Sequence, residues 1–399
     1  MKFRWFFSRQ FRQTSDLCGQ VRKLRDAQSD LLAPQDLQLL DAALRETKAA
    51  LDAGADHATL AARALALEET AQQTLRPYPH PEWRDNVEIF LMAIAIAMSI
   101  RTFFAQPFKI PTGSMQPTLY GVTIQDRRDD PNFVMPGILM RAGEFALRGA
   151  IRHQVIAGED GQFDHAGPLQ HVLGLVNKQI LWVRYRSGAL APITLWCGPD
   201  DESQSDSIEH RLGLVDNVHL PNPFRKGQAI LQFVEYTGDH LFVDRLTYNF
   251  RRPARGEIVV FKTKDIPQIG TDQFYIKRLI GLPGESISIG DDRHVRVNGV
   301  RLDASTPHFQ NIYGFDPNAP PRESRYSGHI LAPDFPKSLL QTSASQIKVR
   351  DKHYAVFGDN TKNSADSRFW GDFPQQDIMG KAWFVYWPYS NRFGFLGQR

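Results

Sequence analysis

Cysteine is nearly absent: Cys18 and Cys197 are the only two in 399 residues. Neither belongs to a CxxC pair or to a Cys/His cluster with zinc spacing, so no structural zinc site and no other cofactor is expected. Charge of one sign is also lacking. Lysine and arginine total 47 against 44 aspartates and glutamates, with no long basic run, which argues against nucleic acid as a partner. The amino terminus lacks the uninterrupted apolar stretch of a cleavable signal peptide, because Arg9 and Arg12 break it. Phe3, Phe7 and Phe11 fall at helical spacing among Lys2, Arg4, Arg9 and Arg12, which suits an interfacial helix on an anionic surface.

What is present is globular in kind, with 42% hydrophobic and 23% charged residues. Residues 20–74 are rich in Ala, Leu, Gln, Glu and Arg, and Leu37, Leu40, Leu44 and Leu51 keep near-heptad spacing. Pro34 and the turn at Ala53, Gly54 and Ala55 divide this region into short helices, and nothing in it carries chemistry. Pro77, Pro79 and Pro81 form a stiff linker before Trp83. Hydropathy then peaks in IFLMAIAIAMSI, residues 89–100, an uncharged run shorter than the usual membrane span. Arg101 can snorkel, Phe103, Phe104 and Ala105 extend the stretch, and Trp83 sits where an interfacial aromatic belongs. A transmembrane helix over 83–105 is therefore expected, with Cys18 and Cys197 in different compartments as free thiols. If Cys197 and Cys18 are so separated, they cannot pair within one molecule.

Beyond Gln106 the pattern becomes β-rich. GEIVVFK, FYIKRLIGL, HVRVNGV and KAWFVYW are short strand-like segments separated by turn residues. Within PFKIPTGSMQPTL, residues 107–119, Ser114 follows a glycine and lies between Pro111 and Pro117, in a rigid turn that presents it outward. A serine needs a base to become a nucleophile. His240, His294, His308 and His353 lie among charged or turn residues and read as solvated. Lys277 sits inside a strand-like run in which Tyr275, Lys277 and Leu279 share one face and Ile276, Arg278 and Ile280 the other. To act as a base it must be buried, and lowering its pKa by about three requires roughly 4 kcal/mol of differential stabilisation.

In their order, four blocks resemble the type I signal peptidases, membrane-bound Ser/Lys proteases. An apolar span leads into IPTGSMQPTL; GEIVVFK at 256–262, YIKRLIGLPGE at 275–285 and GDNTKNSADSRFWG at 358–371 follow. The resemblance implies Ser114 as nucleophile and Lys277 as general base, with Ser364 orienting the lysine amine. It implies an oxyanion hole from Thr112 and the Ser114 amide, with Asp366 and Arg368 as a bracing pair. Ile110, Pro111, Met115 and Ile276 are implied to bind substrate, the isoleucines lining small apolar pockets that favour alanine-like residues. The implied fold is mainly β: a sheet-rich, barrel-like catalytic domain with a cap and a large insertion, after one transmembrane helix and a helical amino-terminal region.

The implied organisation places 1–81 in the cytoplasm and 106–399 on the periplasmic or extracellular side of a bacterial plasma membrane. Secreted preproteins and the lipid bilayer are the implied partners. Trp383, Trp387, Tyr389 and Phe393 are candidates for resting on headgroups or for ordinary β-domain core. Two departures stand out. Thr361 and Lys362 replace an Arg and an Asp of the family pattern, which removes a local ion pair. An insertion over about 121–238, in which GEFALRG and QILWVRYRSG suggest β-structure and GPDDESQSDSIEH an acidic loop, separates the first two blocks. A second insertion near 303–348 is expected to build the cap. A related Ser/Lys processing protease and a catalytically inactive membrane scaffold are the competing readings.

Overall fold

Helices come first in the chain and sheets afterwards. The computed structural model describes residues 9–77, 81–168, 170–172, 176–196, 212, 214, 221–269, 272–331 and 338–397, and the chain divides into two units, Met1–Ile94 and Ala95–Arg399. In the first, α1 (Arg9–Ala27), α2 (Pro34–Ala53) and α3 (His57–Thr74) share one core built on Val21, Leu40, Leu44, Leu51, Leu60 and Leu67. Pro34 opens α2, where a missing N–H costs no hydrogen bond. Gly54 closes it at φ 66°, and Asp56 caps α3 by accepting from the Thr59 amide. Cys18 is a buried free thiol whose pKa burial raises. Phe11 packs against this core. Phe3, Phe7 and Cys197 lie outside the described residues.

The fourth helix, α4 (Pro81–Phe103), contains a 19-residue stretch, Asp85–Phe103, of mean hydropathy 1.5 with none of it buried. By length and composition it can cross a membrane. It stops two residues short of the expected end, because Ala105 already belongs to strand β1 (Ala105–Lys109).

That strand opens the main sheet of the second unit. Its antiparallel order is β1, β10 (His240–Asp244), β19 (Ile378–Trp387), β11 (Ile258–Lys262), β12 (Phe274–Gly281), β17 (His353–Phe357) and β18 (Phe373–Pro374), with β20 (Gly394–Phe395) on β19. Three of the strand-like blocks thus become β11, β12 and β19, in a sheet-rich fold of the expected class. The sheet curls, bringing Phe108 of β1 edge-to-face against Phe274 of β12 with ring centroids 5.4 Å apart. β1 is an edge strand of this sheet, and β12 pairs with β17 from Arg278 onward. Two backbone edges therefore meet beside the loop that follows β1.

That loop leads into β2 (Thr123–Asp126), which with β9 (Ala229–Tyr236) and β3 (Ala150–Ile156) forms a three-stranded sheet. A five-stranded sheet of β4 (Gly161–Ala166), β5 (Gln170–Val172), β6 (Val176–Tyr185), β7 (Leu190–Trp196) and β8 (Pro223–Phe224) completes the region. Phe163, Leu181, Val183, Leu231 and Phe233 knit the two sheets into one core. QILWVRYRSG lies mostly in β6, but GEFALRG is not β-structure: it ends helix α5 (Ile138–Arg148). Ile138, Ala142, Phe145 and Ala146 recur at helical spacing, and Gly149 stops the helix at φ 61°. The acidic GPDDESQSDSIEH stretch lies outside the described residues.

A four-stranded sheet of β13 (Ser286–Ile289), β14 (Val295–Val297), β15 (Val300–Arg301) and β16 (Ile347–Lys348) supports the segment between 303 and 346. The hairpin in HVRVNGV turns at Asn298 and Gly299, with φ 51° and 82°, the signs a tight two-residue turn requires. Ile287, Ile289, Val295, Phe309, Tyr313 and Leu340 fill the core beneath.

Candidate active site

The chain leaves β1 at Lys109, two residues before Pro111. Ile110 donates its amide to the Asp239 carbonyl at 2.9 Å, and Val122 donates back to the Pro111 carbonyl at 3.0 Å, closing the loop at its neck. Inside it, Ser114 is fixed from outside by Asn360. The Asn360 amide donates to the Ser114 carbonyl at 3.0 Å, and its side chain donates to the Gly113 carbonyl at 3.1 Å. Gly358 permits this approach: a Cβ there would collide with Ser364 Oγ and the Ser114 carbonyl.

Strand β12 delivers Lys277 to the same point. Its Nζ donates to Ser114 Oγ at 2.7 Å and to the Ile276 carbonyl at 3.2 Å. Ser114 and Lys277 expose only 7% and 4% of their surface. Burial pushes the lysine pKa down from 10.5 to about 8, against the opposing pull of the Asp366 and Asp359 carboxylates. An amine with that pKa is neutral in a useful fraction of molecules near neutrality, and a neutral amine at 2.7 Å can accept the serine proton. Thr112 Oγ1 also donates to Ser114 Oγ, at 3.3 Å.

Two buried ion pairs frame the dyad. Burial pushes the Asp366 carboxyl up, but the Arg368 guanidinium and the Gly358 amide outweigh it and hold the acid below the usual carboxylate range. Arg368 grips Asp366 through Nε at 2.9 Å and Nη2 at 2.8 Å. Arg368 Nη1 also donates to the Thr361 carbonyl at 2.8 Å and to Thr361 Oγ1 at 2.9 Å. Thr361 therefore braces the loop from which the family ion pair is missing, and Lys362 pairs with Glu323 at 3.3 Å.

The second pair was missed by sequence reasoning. Arg278 reaches Asp359 through Nε at 2.8 Å and Nη2 at 2.6 Å, and Thr118 Oγ1 donates to the same carboxylate at 2.5 Å. Alternation along β12 signalled that Arg278 leaves the Lys277 face, and nothing local identified its partner 81 positions away.

Other expected positions differ in detail. Ser364 does not bond the lysine amine: its buried hydroxyl makes no hydrogen bond, although it lies near enough to Asp366 to help lower that carboxyl. Ile110 and Met115 are sealed into the apolar core with Leu119, Leu241 and Val385, exposing 2% and 0%. Pro111 is exposed and Ile276 partly buried, so these two offer surface beside Ser114. Of the histidines read as solvated, His294 is buried and stacked on Tyr313 at 4.7 Å. His329, unremarked in the sequence, is buried beside Tyr313, and burial pushes its pKa down to about 3, which leaves it neutral.

Comparison with known proteins turns this geometry into a kinship. The family model described as signal peptidase, peptidase S26, matches residues 83–128 and 234–387, half of the chain. The chain belongs to the signal peptidase family. Residues 129–233, with α5 and most of the two smaller sheets, fall outside the family match. A probable signal peptidase I-2 from Synechocystis is 32% identical over 38% of this chain and 56% of its own. A signal peptidase I from Leptolyngbya laminosa is 33% identical over 40% of this chain and 64% of its own. The signal peptidase I of Pseudomonas aeruginosa is 25% identical over 59% of this chain and 84% of its own. The chain thus spans less than two thirds of the length of the first two relatives.

Proposed function

We propose that the protein is a membrane-bound serine endopeptidase of the signal peptidase I type, which cleaves amino-terminal signal peptides from exported preproteins. The observation that carries this reading is the buried 2.7 Å contact between Lys277 Nζ and Ser114 Oγ, with the lysine pKa held near 8. In the proposed reaction the neutral Lys277 amine takes the Ser114 proton as Oγ attacks the scissile carbonyl carbon. The Ser114 amide and the Thr112 hydroxyl receive the oxyanion. The Lys277 ammonium then protonates the departing amine, leaving an acyl ester on Ser114. Water, giving its proton to Lys277, hydrolyses that ester and frees the serine. Asp366 and Arg368 brace the corner around the lysine without entering the reaction.

An extended peptide adds to the backbone edges of β1 and residues 274–277, which come together at Phe108 and Phe274. In this reading the side chains accepted beside Ser114 are small, as in Ala-X-Ala, with exposed Pro111 and partly buried Ile276 as the surface they meet. In this reading α4 is a single transmembrane span in a bacterial plasma membrane. The segment up to about residue 81 is cytoplasmic, and the protease domain from 106 onward lies outside.

The full chain in detergent, incubated with a purified preprotein, is expected to release a mature product whose new amino terminus follows a small residue. Ser114→Ala is expected to reduce that release by about a thousandfold or more. Equal product from both proteins, or none from the wild type, would overturn the reading.

A further inference from the structure

Helix α5 is built inside out. Helices on the surface of a domain turn their apolar stripe to the core, yet none of its residues is buried, and Leu139 is 86% exposed. Arg141, Glu144 and Arg148 share one face, and Glu144 is tied inward to Arg152 of β3 by hydrogen bonds of 2.8 and 2.9 Å. The exposed large apolar side chains are Ile138, Leu139, Met140, Phe145 and Leu147.

We infer that α5 is an interfacial anchor that lies in the surface of an anionic bilayer. Apolar residues with arginines at their flank match the acyl and headgroup layers of such a surface. The position of the helix selects the same occupant. Its last turn is held by the end of β19: Trp387 Nε1 donates to the Ala146 carbonyl at 2.7 Å, and the Tyr389 amide to that of Leu147 at 2.8 Å. Phe145 packs edge-to-face on Trp387 at 5.4 Å, and exposed Tyr389 stacks on Phe393 at 4.9 Å, continuing the apolar strip with aromatics suited to an interface. The sheet that carries this strip begins at β1, one residue after the membrane-crossing helix.

The strip also adjoins the neck of the Ser114 loop. His240 pairs with Trp387 across β10 and β19, and neighbouring Asp239 accepts from the Tyr120 amide at 2.8 Å. Seating α5 in headgroups therefore holds that loop near the plane in which a membrane-inserted peptide arrives. This consequence rests on the peptidase reading; the anchor itself does not.

Nitroxide accessibility on the full chain tests the anchor without reference to catalysis. Cys18→Ser and Cys197→Ser remove the native thiols, and labels are placed at Leu139→Cys, at Ile138→Cys, and at Val300→Cys in the β14–β15 hairpin as an exposed control. The protein is reconstituted in phosphatidylcholine vesicles containing about 30% phosphatidylglycerol. Both α5 labels are expected to be open to dissolved oxygen and about tenfold less open to a water-soluble nickel chelate than the control. Two labelled positions guard against one misfolded variant. Nickel access equal to the control at both positions would overturn the anchor. Exclusion of both reagents, with dipolar broadening between labels, would do the same by assigning the face to a second copy of the chain.

Discussion

Replacing Lys277 with methionine is expected to abolish cleavage while making the protein more stable at pH 7. Activity falls by about a thousandfold or more because the amine bonded to Ser114 Oγ is lost. Stability rises because a buried ammonium is removed. The folded pKa near 8 lies below the ordinary 10.5, so between those values the unfolded chain binds more protons than the folded one. Wild-type stability therefore increases with pH across that window. Below it both states are protonated and the full cost of the buried charge remains, roughly 3 kcal/mol at 1.36 kcal/mol per pKa step. Loss of the bond to Ser114 offsets about 1 kcal/mol of the gain. Thermal unfolding of both proteins in detergent at pH 7 and pH 10 checks this. The variant should melt several degrees higher at pH 7, and the gap should shrink at pH 10. A variant that melts lower at pH 7 contradicts the burial argument.

The second large effect is expected at Arg278, which performs no chemistry. Arg278→Met strands the Asp359 carboxylate, whose side chain has no exposed surface. Removing one partner of a buried pair costs about 3–5 kcal/mol, whereas removing both for apolar groups costs far less. Arg278→Met combined with Asp359→Leu should therefore recover most of the stability lost by the single variant. Activity should remain low in both, because Asp359 lies between Gly358, which packs on Ser114, and Asn360, which holds the Ser114 carbonyl. A melting temperature drop of roughly 10 °C for the single variant, largely reversed in the double, is the expected pattern. A single variant as stable as wild type would show that the pair does not hold the loop.

These two residues mark how far the sequence was legible. Helix and strand periods, with proline and glycine as punctuation, exposed the helical start, the apolar span and the β-rich remainder. Ser114 and Lys277 were assigned by the resemblance of their ordered blocks to the signal peptidases, since a turn serine and a strand lysine are each commonplace on their own. The Arg278 and Asp359 pair carried no such mark, since each looks like an ordinary polar residue until the sheet brings their strands together. The resemblance implied that Ile110 and Met115 bind substrate, and the sequence offered no check, because an apolar side chain has the same signature in a wall and in a core. GEFALRG was too short a window for its helical period to emerge, and the apolar residues ahead of it, Ile138 to Met140, complete the pattern. Thr361 shows the converse limit: a missing ion pair was visible, but the hydroxyl and carbonyl that replace it depend on Arg368 folding back.

Titration of the Lys277 amine itself bears most directly on whether burial makes this lysine a base. The full chain is labelled with lysine enriched in 13C at Cε, and its signal is identified by its absence in Lys277→Met. The chemical shift is then followed from pH 6 to 11 by NMR in detergent. A midpoint near 8 is expected from the buried site; a midpoint at the ordinary lysine value of about 10.4 would contradict it.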